Sequence, residues 1–153
     1  LTNIQVNVHF YGYIHDCIEV FDKYKNDGAK WIFTHDTVER DKVAKLMVET
    51  DILVNIGNLT SYQLPSKVIE YISTGKPILN ITSIANDSSS TYLEKYPSSL
   101  TILKNSEITN ELINNLTSFI TQAKLVEKNK VDFLLKKHLI ESISNQYMYL
   151  INR

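Results

Sequence analysis

Pro65, Ser66 and Lys67, followed one helical turn later by Glu70, sit inside the stretch GNLTSYQLPSKVIEYISTGKPILNI. With Pro65 in the first turn of a helix, the unpaired backbone N–H groups near Ser66 and Lys67 suit a phosphate. The Lys67 ammonium and the Ser66 hydroxyl add donors. Glu70 falls about on the face of Ser66, where a carboxylate can accept two hydrogen bonds from a vicinal diol such as a ribose. Ser61 and Tyr62 belong to the hydroxyl- and amide-rich loop that leads in. The same residues also fit a plainer reading: Pro65 and Ser66 start a helix, Lys67 is solvated, and Glu70 helps the helix dipole. The residues alone leave both open.

Other chemistry finds less support. His9, His15, His35 and His138 do not pair with one another or with cysteine at the sequence spacing of metal ligands, so no metal is expected. There is no Asp-x-Asp pair to hold a divalent metal, and no Gly-x-Gly-x-x-Gly fingerprint for NAD or FAD, which argues against a dehydrogenase. Cys17 lies beside Ile18 and Val20 and reads as a buried, inert thiol on an apolar helical face. The tyrosines, among them Tyr11, Tyr13, Tyr62 and Tyr71, offer rings on which a base or sugar can stack, but most are expected simply to pack with wet hydroxyls.

Strand-like runs alternate with helical repeats, and these elements must position the candidate residues. IQVNVHFYG is β-branched and aromatic, and the next segment sets Ile14, Ile18, Phe21 and Tyr24 at helical spacing. KWIFTH and VERDKVAKLMVET repeat the pattern, with Val43, Leu46 and Met47 on one face. DILVNIGN reads as a buried strand, followed by the Pro65 helix and the strand PILNIT. After the polar NDSSS patch, SLTILK is a last strand and Ser106 a candidate cap for a helix carrying Ile108, Leu112, Leu116 and Phe119. Residues 126–149 read as a final helix. The implied fold is α/β and doubly wound, a Rossmann-like parallel sheet with helices on both faces. The strands holding Phe10, Phe33, Val54 and Leu79 are expected side by side. Ligands in such sheets bind beyond the carboxyl ends of the strands, here the turns after Phe10, Phe33, Ile56 and Ile81.

Composition bounds the function. A chain of 153 residues, 43% hydrophobic, suits a single domain over 1–153. A net charge of −1 carries no footprint for nucleic acid. One cysteine excludes an internal disulfide, and no apolar run is long enough for a membrane span, so a cytoplasmic domain is expected. The Asn-x-Ser/Thr triplets at Asn58, Asn80, Asn86 and Asn115 carry no weight in a chain this rich in Asn. The chain opens at Leu1 on strand-like sequence and reads as a piece of something longer. Near the C-terminus Lys124, Lys128, Lys130, Lys136 and Lys137 alternate with apolar residues, but Glu127, Asp132 and Glu141 dilute the charge. A packed helix is favoured over a membrane-surface one.

The segment TDILVNIGNLTSYQLPSKVIEYISTGKPILNI resembles the nucleotide-sugar-binding segment of retaining two-domain (GT-B) glycosyltransferases of bacterial capsule and lipopolysaccharide synthesis. Asp51, Glu70, Gly75, Lys76 and Pro77 fall in register, and the likeness covers most of Phe10 to Ile81. It implies that the chain is one half of a GT-B enzyme, a hexosyltransferase without metal or other cofactor, whose donor substrate is a nucleoside-diphosphate sugar. Glu70 then holds ribose hydroxyls, Ser66 and Lys67 approach the diphosphate, and the Thr34 to Val38 loop, with His35 and Thr37, lies along the base. His35 stands where the family usually has glycine, and Tyr62 where it has the first glutamate of a Glu-x7-Glu motif. Catalytic residues are not assigned. The implied partners are an N-terminal acceptor-binding domain and a glycan or lipid-linked acceptor. No nucleic acid is expected, and the full-length protein is expected to work in the cytoplasm with a peripheral contact to the inner face of the membrane. The isolated chain is expected to be inactive. A sugar-nucleotide 2-epimerase half, or a non-catalytic nucleotide-sugar-binding or interaction module, remain the alternatives.

Overall fold

Each β-branched run becomes a short strand, and the helical repeat after it returns the chain so that the next strand runs in the same direction. The computed structural model describes residues 4–63, 65–138 and 144, and its strands are all parallel and flanked by helices, a Rossmann-like α/β arrangement. Contacts divide the chain into two units, Leu1–Leu46 and Met47–Arg153.

In the first unit β1 (Val8–Tyr11) pairs with β2 (Ile32–His35), Val8 opposite Ile32 and Tyr11 opposite His35. Between them come a 3-10 turn, His15–Cys17, and helix α1 (Ile18–Asn26). Phe21 of α1 meets Phe10 edge-on, ring centroids 4.9 Å apart, while Ile18, Val20 and Tyr24 stay exposed. Cys17 is exposed rather than buried, because it ends the 3-10 turn ahead of α1 instead of sharing the face of Phe21. Helix α2 (Arg40–Glu49) contains the division between the units.

The second unit is a three-stranded ladder in the order β3 (Leu53–Ile56), β4 (Ile78–Thr82), β5 (Ser99–Leu103). Val68 and Ile72 lie four apart on α3 (Ser66–Ser73), so both meet the sheet from one helical face. They bury against Leu53 and Ile78, with Leu93 of α4 (Ser88–Leu93), Tyr96 and Val131 completing the core. Helix α5 (Asn110–Gln122) and helix α6 (Lys128–Leu135) follow β5. Each fully buried Val, Leu or Ile is worth about 1.5–3 kcal/mol.

The "TGKP" turn stops α3 by a defined device. Gly75 has φ +72°, the left-handed region that favours glycine, and an added Cβ would lie 3.0 Å from the Val126 carbonyl oxygen. The Thr74 hydroxyl donates to the Tyr71 carbonyl and accepts from the Lys76 amide, and Pro77 then leads into β4.

Four further sequence expectations change. The strands form two ladders rather than one sheet, because strand–helix alternation fixes strand direction but not which strands become neighbours. Thr109, not Ser106, caps α5: its hydroxyl accepts from the Leu112 amide at 3.1 Å, while the Ser106 amide is committed to a turn with Leu103. Ser88–Ser90 of the polar NDSSS patch, to which no element was assigned, open α4, which Asp87 caps. The last helix starts at Lys128 rather than at 126, since the Val126 amide is held by the Gly75 carbonyl, 2.8 Å away. It passes into a 3-10 turn, Lys136–His138, and the remainder of the expected 126–149 helix lies outside the described residues, apart from 144. No helix among the described residues is long and apolar enough to cross a membrane.

Tyr96 ties these elements together: its hydroxyl donates to the Lys76 carbonyl at 2.7 Å, and burial pushes its pKa up to about 12. In the unfolded chain the same phenol ionises near pH 10, so between pH 10 and about 12 only the unfolded state has released the proton. Stability contributed by neutral Tyr96 is therefore complete below pH 10 and is lost as pH rises towards 12. Tyr71, raised by burial and then by the Glu70 charge, adds to the same trend. Urea unfolding across this range is expected to show stability falling as pH rises, and Tyr96→Phe is expected to flatten that fall.

Candidate functional site

The carboxyl end of β3 leads into the loop before α3, and side chains from the next crossover hold that loop. The Gly57 amide donates to the Ile81 carbonyl at 2.8 Å, extending the ladder by one bond. A Cβ on Gly57 would stand 2.8 Å from Asp87 Oδ2, so the carboxylate occupies the space a side chain would need. Asp87 is fully buried. Its Oδ1 accepts from the Asn58 amide at 3.2 Å, and its Oδ2 accepts from the Ser90 amide at 3.3 Å, capping α4. The far end of the loop is fastened to the same place: the Gln63 carbonyl accepts from the Ser88 hydroxyl at 2.7 Å and from Asn58 Nδ2 at 2.8 Å.

Beneath this clamp a row of amides and hydroxyls crosses the sheet. Asn55 Nδ2 donates to Asn80 Oδ1 at 2.7 Å, and Asn80 Nδ2 donates to Ser90 Oγ at 3.1 Å and Thr101 Oγ1 at 3.3 Å. Buried amides are costly unless paired, and this row pairs them. The hydroxyls of Thr60 and Ser89 are buried without a hydrogen-bond partner among the described residues.

On this scaffold Pro65, Ser66, Lys67 and Glu70 come together at the start of α3. Pro65 has φ −62° and ψ 127°, which makes it the residue before the helix rather than its first helical residue. It supplies no side-chain cap, so the first-turn amides that a helix cannot satisfy internally receive no side-chain acceptor from it. Ser66, Lys67 and Glu70 are exposed, and the Glu70 carboxylate makes no hydrogen bond or ion pair among the described residues. Its charge is nonetheless felt by the neighbouring Tyr71 hydroxyl. Ser61 is exposed, and the Tyr62 ring stands 84% exposed on the loop.

His35 and Thr37 belong to the first unit, where they line an open cavity of about 470 Å³ beyond the carboxyl ends of β1 and β2. Tyr11, Thr34, Asp36 and Lys42 complete its polar wall, and the His35 ring lies on Tyr11 with centroids 4.3 Å apart and planes 10° from parallel. In the second unit a cavity of about 350 Å³ lies around Ser98, Ser99 and the 122–127 segment. It opens at the amino end of β5, away from the end where α3 begins, and contains none of the expected site residues.

Sequence reasoning missed Asp87, Asn58 and Asn80. Asp87 had a readable signal, an aspartate three positions ahead of the Ser90 amide it caps. Asn80 had only the oddity of an amide inside the apolar run PILNIT. Protein-family models, curated proteins and solved structures all give no match to this chain.

Asp87→Ala leaves the Asn58 and Ser90 amides without their acceptor, and is expected to cost about 2–4 kcal/mol in urea unfolding. Gly57→Ala is expected to destabilise in the same assay, since its methyl group must displace the carboxylate. A loss below about 0.5 kcal/mol in both, the size expected of ordinary surface changes, would mean that the clamp does not hold this end of the sheet.

Proposed function

We propose that the chain is the donor-binding half of a GT-B-type glycosyltransferase, acting in the transfer of a sugar from a nucleoside diphosphate to a glycan or lipid-linked acceptor. The observation that carries the reading is the start of α3: it lies at the carboxyl end of a parallel strand, lacks a side-chain cap, and has Lys67 in its first turn and an unengaged Glu70 one turn on. In this reading the first-turn amides, the Ser66 hydroxyl and the Lys67 ammonium hold the diphosphate, with the helix dipole adding to the field. Glu70 accepts from both ribose hydroxyls. Donors already aimed at the phosphates also favour departure of the diphosphate as its charge develops. The clamped loop supports the reading because a site fixed before binding loses less entropy when the ligand arrives. A second half that presents the acceptor belongs to the same proposal.

Calorimetric titration of the chain with UDP, GDP, ADP and CMP tests it. At least one is expected to bind, and Glu70→Ala is expected to weaken that binding by about 1.5–3 kcal/mol, the range for hydrogen bonds to a charged group. Lys67→Ala is expected to weaken it with a marked dependence on salt. Equal affinity in the wild-type and Glu70→Ala chains would remove Glu70 from the site. No binding of any nucleotide at millimolar concentration would overturn the reading.

A further inference from the structure

The open face of the β1–β2 ladder carries a row of rings, of which only His35 enters the donor-site reading above. Along β1, His9 and Tyr11 point to the same side, opposite to Phe10 and its partner Phe21. From β2 come Phe33 and His35. The His9 ring stacks on Phe33 with centroids 4.8 Å apart and His35 stacks on Tyr11 at 4.3 Å, while the two imidazoles meet edge to edge with centroids 5.2 Å apart. Interplanar angles of 12°, 12° and 10° hold the four rings nearly parallel. Both imidazoles are thus orientated by neighbours on either strand before any ligand arrives.

Within that row His9 Nδ1 lies 2.9 Å from His35 Nε2. Two neutral imidazoles at this distance share one proton, one ring donating and the other accepting. The distance has a second meaning. Imidazole nitrogens sit about 2.0–2.1 Å from Zn²⁺ and similar cations, so two nitrogens on adjacent corners of a square or octahedron are about 2.9 Å apart, and about 3.3 Å apart on a tetrahedron. The pair therefore already has the spacing of two adjacent ligands.

We propose that His9 and His35 form a two-histidine site for a divalent transition cation of the Ni²⁺, Cu²⁺ or Zn²⁺ class. The step is a tautomer shift in the ring that now donates and a turn of each ring by about 35–45°, since the two nitrogens point at each other along the hydrogen bond. The shared proton moves so that His9 carries its hydrogen on Nε2 and His35 on Nδ1, and the two freed lone pairs both reach the cation. Each ring stays neutral, the hydrogen bond between them is exchanged for two metal–nitrogen bonds, and no redox partner is required. No group of three His, Cys, Asp or Glu residues converges among the described residues, so water completes the coordination. Imidazole selects this class of cation over Mg²⁺ and Ca²⁺, which prefer oxygen.

Titration of the full chain with NiCl₂ and ZnCl₂, with MgCl₂ as control, tests the site. The wild-type chain is expected to bind nickel or zinc but not magnesium. His9→Phe and His35→Phe keep a ring in the stack and remove one ligand nitrogen, and each is expected to weaken binding about tenfold or more, while His15→Phe, off the ladder, leaves it unchanged. Substoichiometric Cu²⁺ reads the same site without any substitution: the ring-proton signals of His9 and His35 are expected to broaden before those of His15. Equal affinity in all four chains, no binding of either cation up to about 1 mM, or broadening of His15 ahead of the pair would overturn the proposal.

Discussion

The end of the second unit that carries the candidate site depends on one buried amide. Asn80 sits in the middle of the central strand with no solvent exposure, and its side chain is paired on three sides, by Asn55 of β3, Thr101 of β5 and Ser90 of α4. An amide buried without partners costs on the order of 1–3 kcal/mol, so a slip of either neighbouring strand by one residue would be penalised at once. The row thus fixes the register of all three strands and seats α4 over them. Once α4 is seated, Asp87 at its start falls beneath Gly57, and its two oxygens fix where the loop leaves β3. The position of the α3 N-terminus then follows from the amide row by way of Asp87, Asn58 and Gln63.

The first unit is built by different means. None of its described residues is fully buried, and a two-stranded ladder is marginal in water without support. What orders it is ring packing: Phe10 against Phe21 on one face, and the parallel row of Phe33, His9, His35 and Tyr11 on the other. Aromatic pairs contribute about 0.5–1.5 kcal/mol each beyond area burial, so such a row is a substantial share of what a unit of this size can gather. Its open face leaves the same rings accessible to ligands.

The α/β class and the parallel direction of the strands were legible in the sequence because hydrophobic period changes visibly from two to about 3.6 between IQVNVHF and the segment around Phe21, and again through PILNIT. The start of α3 was legible too, since Pro65 and the "TGKP" stop bracket it. The partners of those elements were not. Strand neighbours depend on contacts far apart in sequence, which is why two ladders stand where one was expected. Asp87 carried a capping signal inside a polar patch, but nothing in the sequence placed it against Gly57, and His9 and His35 are separated by 26 positions, so no spacing rule pairs them. Cys17 looked buried from its apolar neighbours, yet Ile18 and Val20 are themselves exposed, and a periodic pattern alone does not guarantee a covering surface.

On the proposed reading, the clamped loop and the uncapped start of α3 form a preset phosphate and ribose site. Backbone amide spectra recorded during a titration with UDP, then with inorganic phosphate, address it residue by residue. The amides of Ser66 and Lys67 are expected to move together with both ligands, Glu70 to respond to UDP alone, and Asn58 and Ser90 scarcely to move because Asp87 already holds them. Shifts gathered instead around Ser98, Phe119 and Lys130, or an α3 start that stays silent at saturating UDP, would contradict that reading.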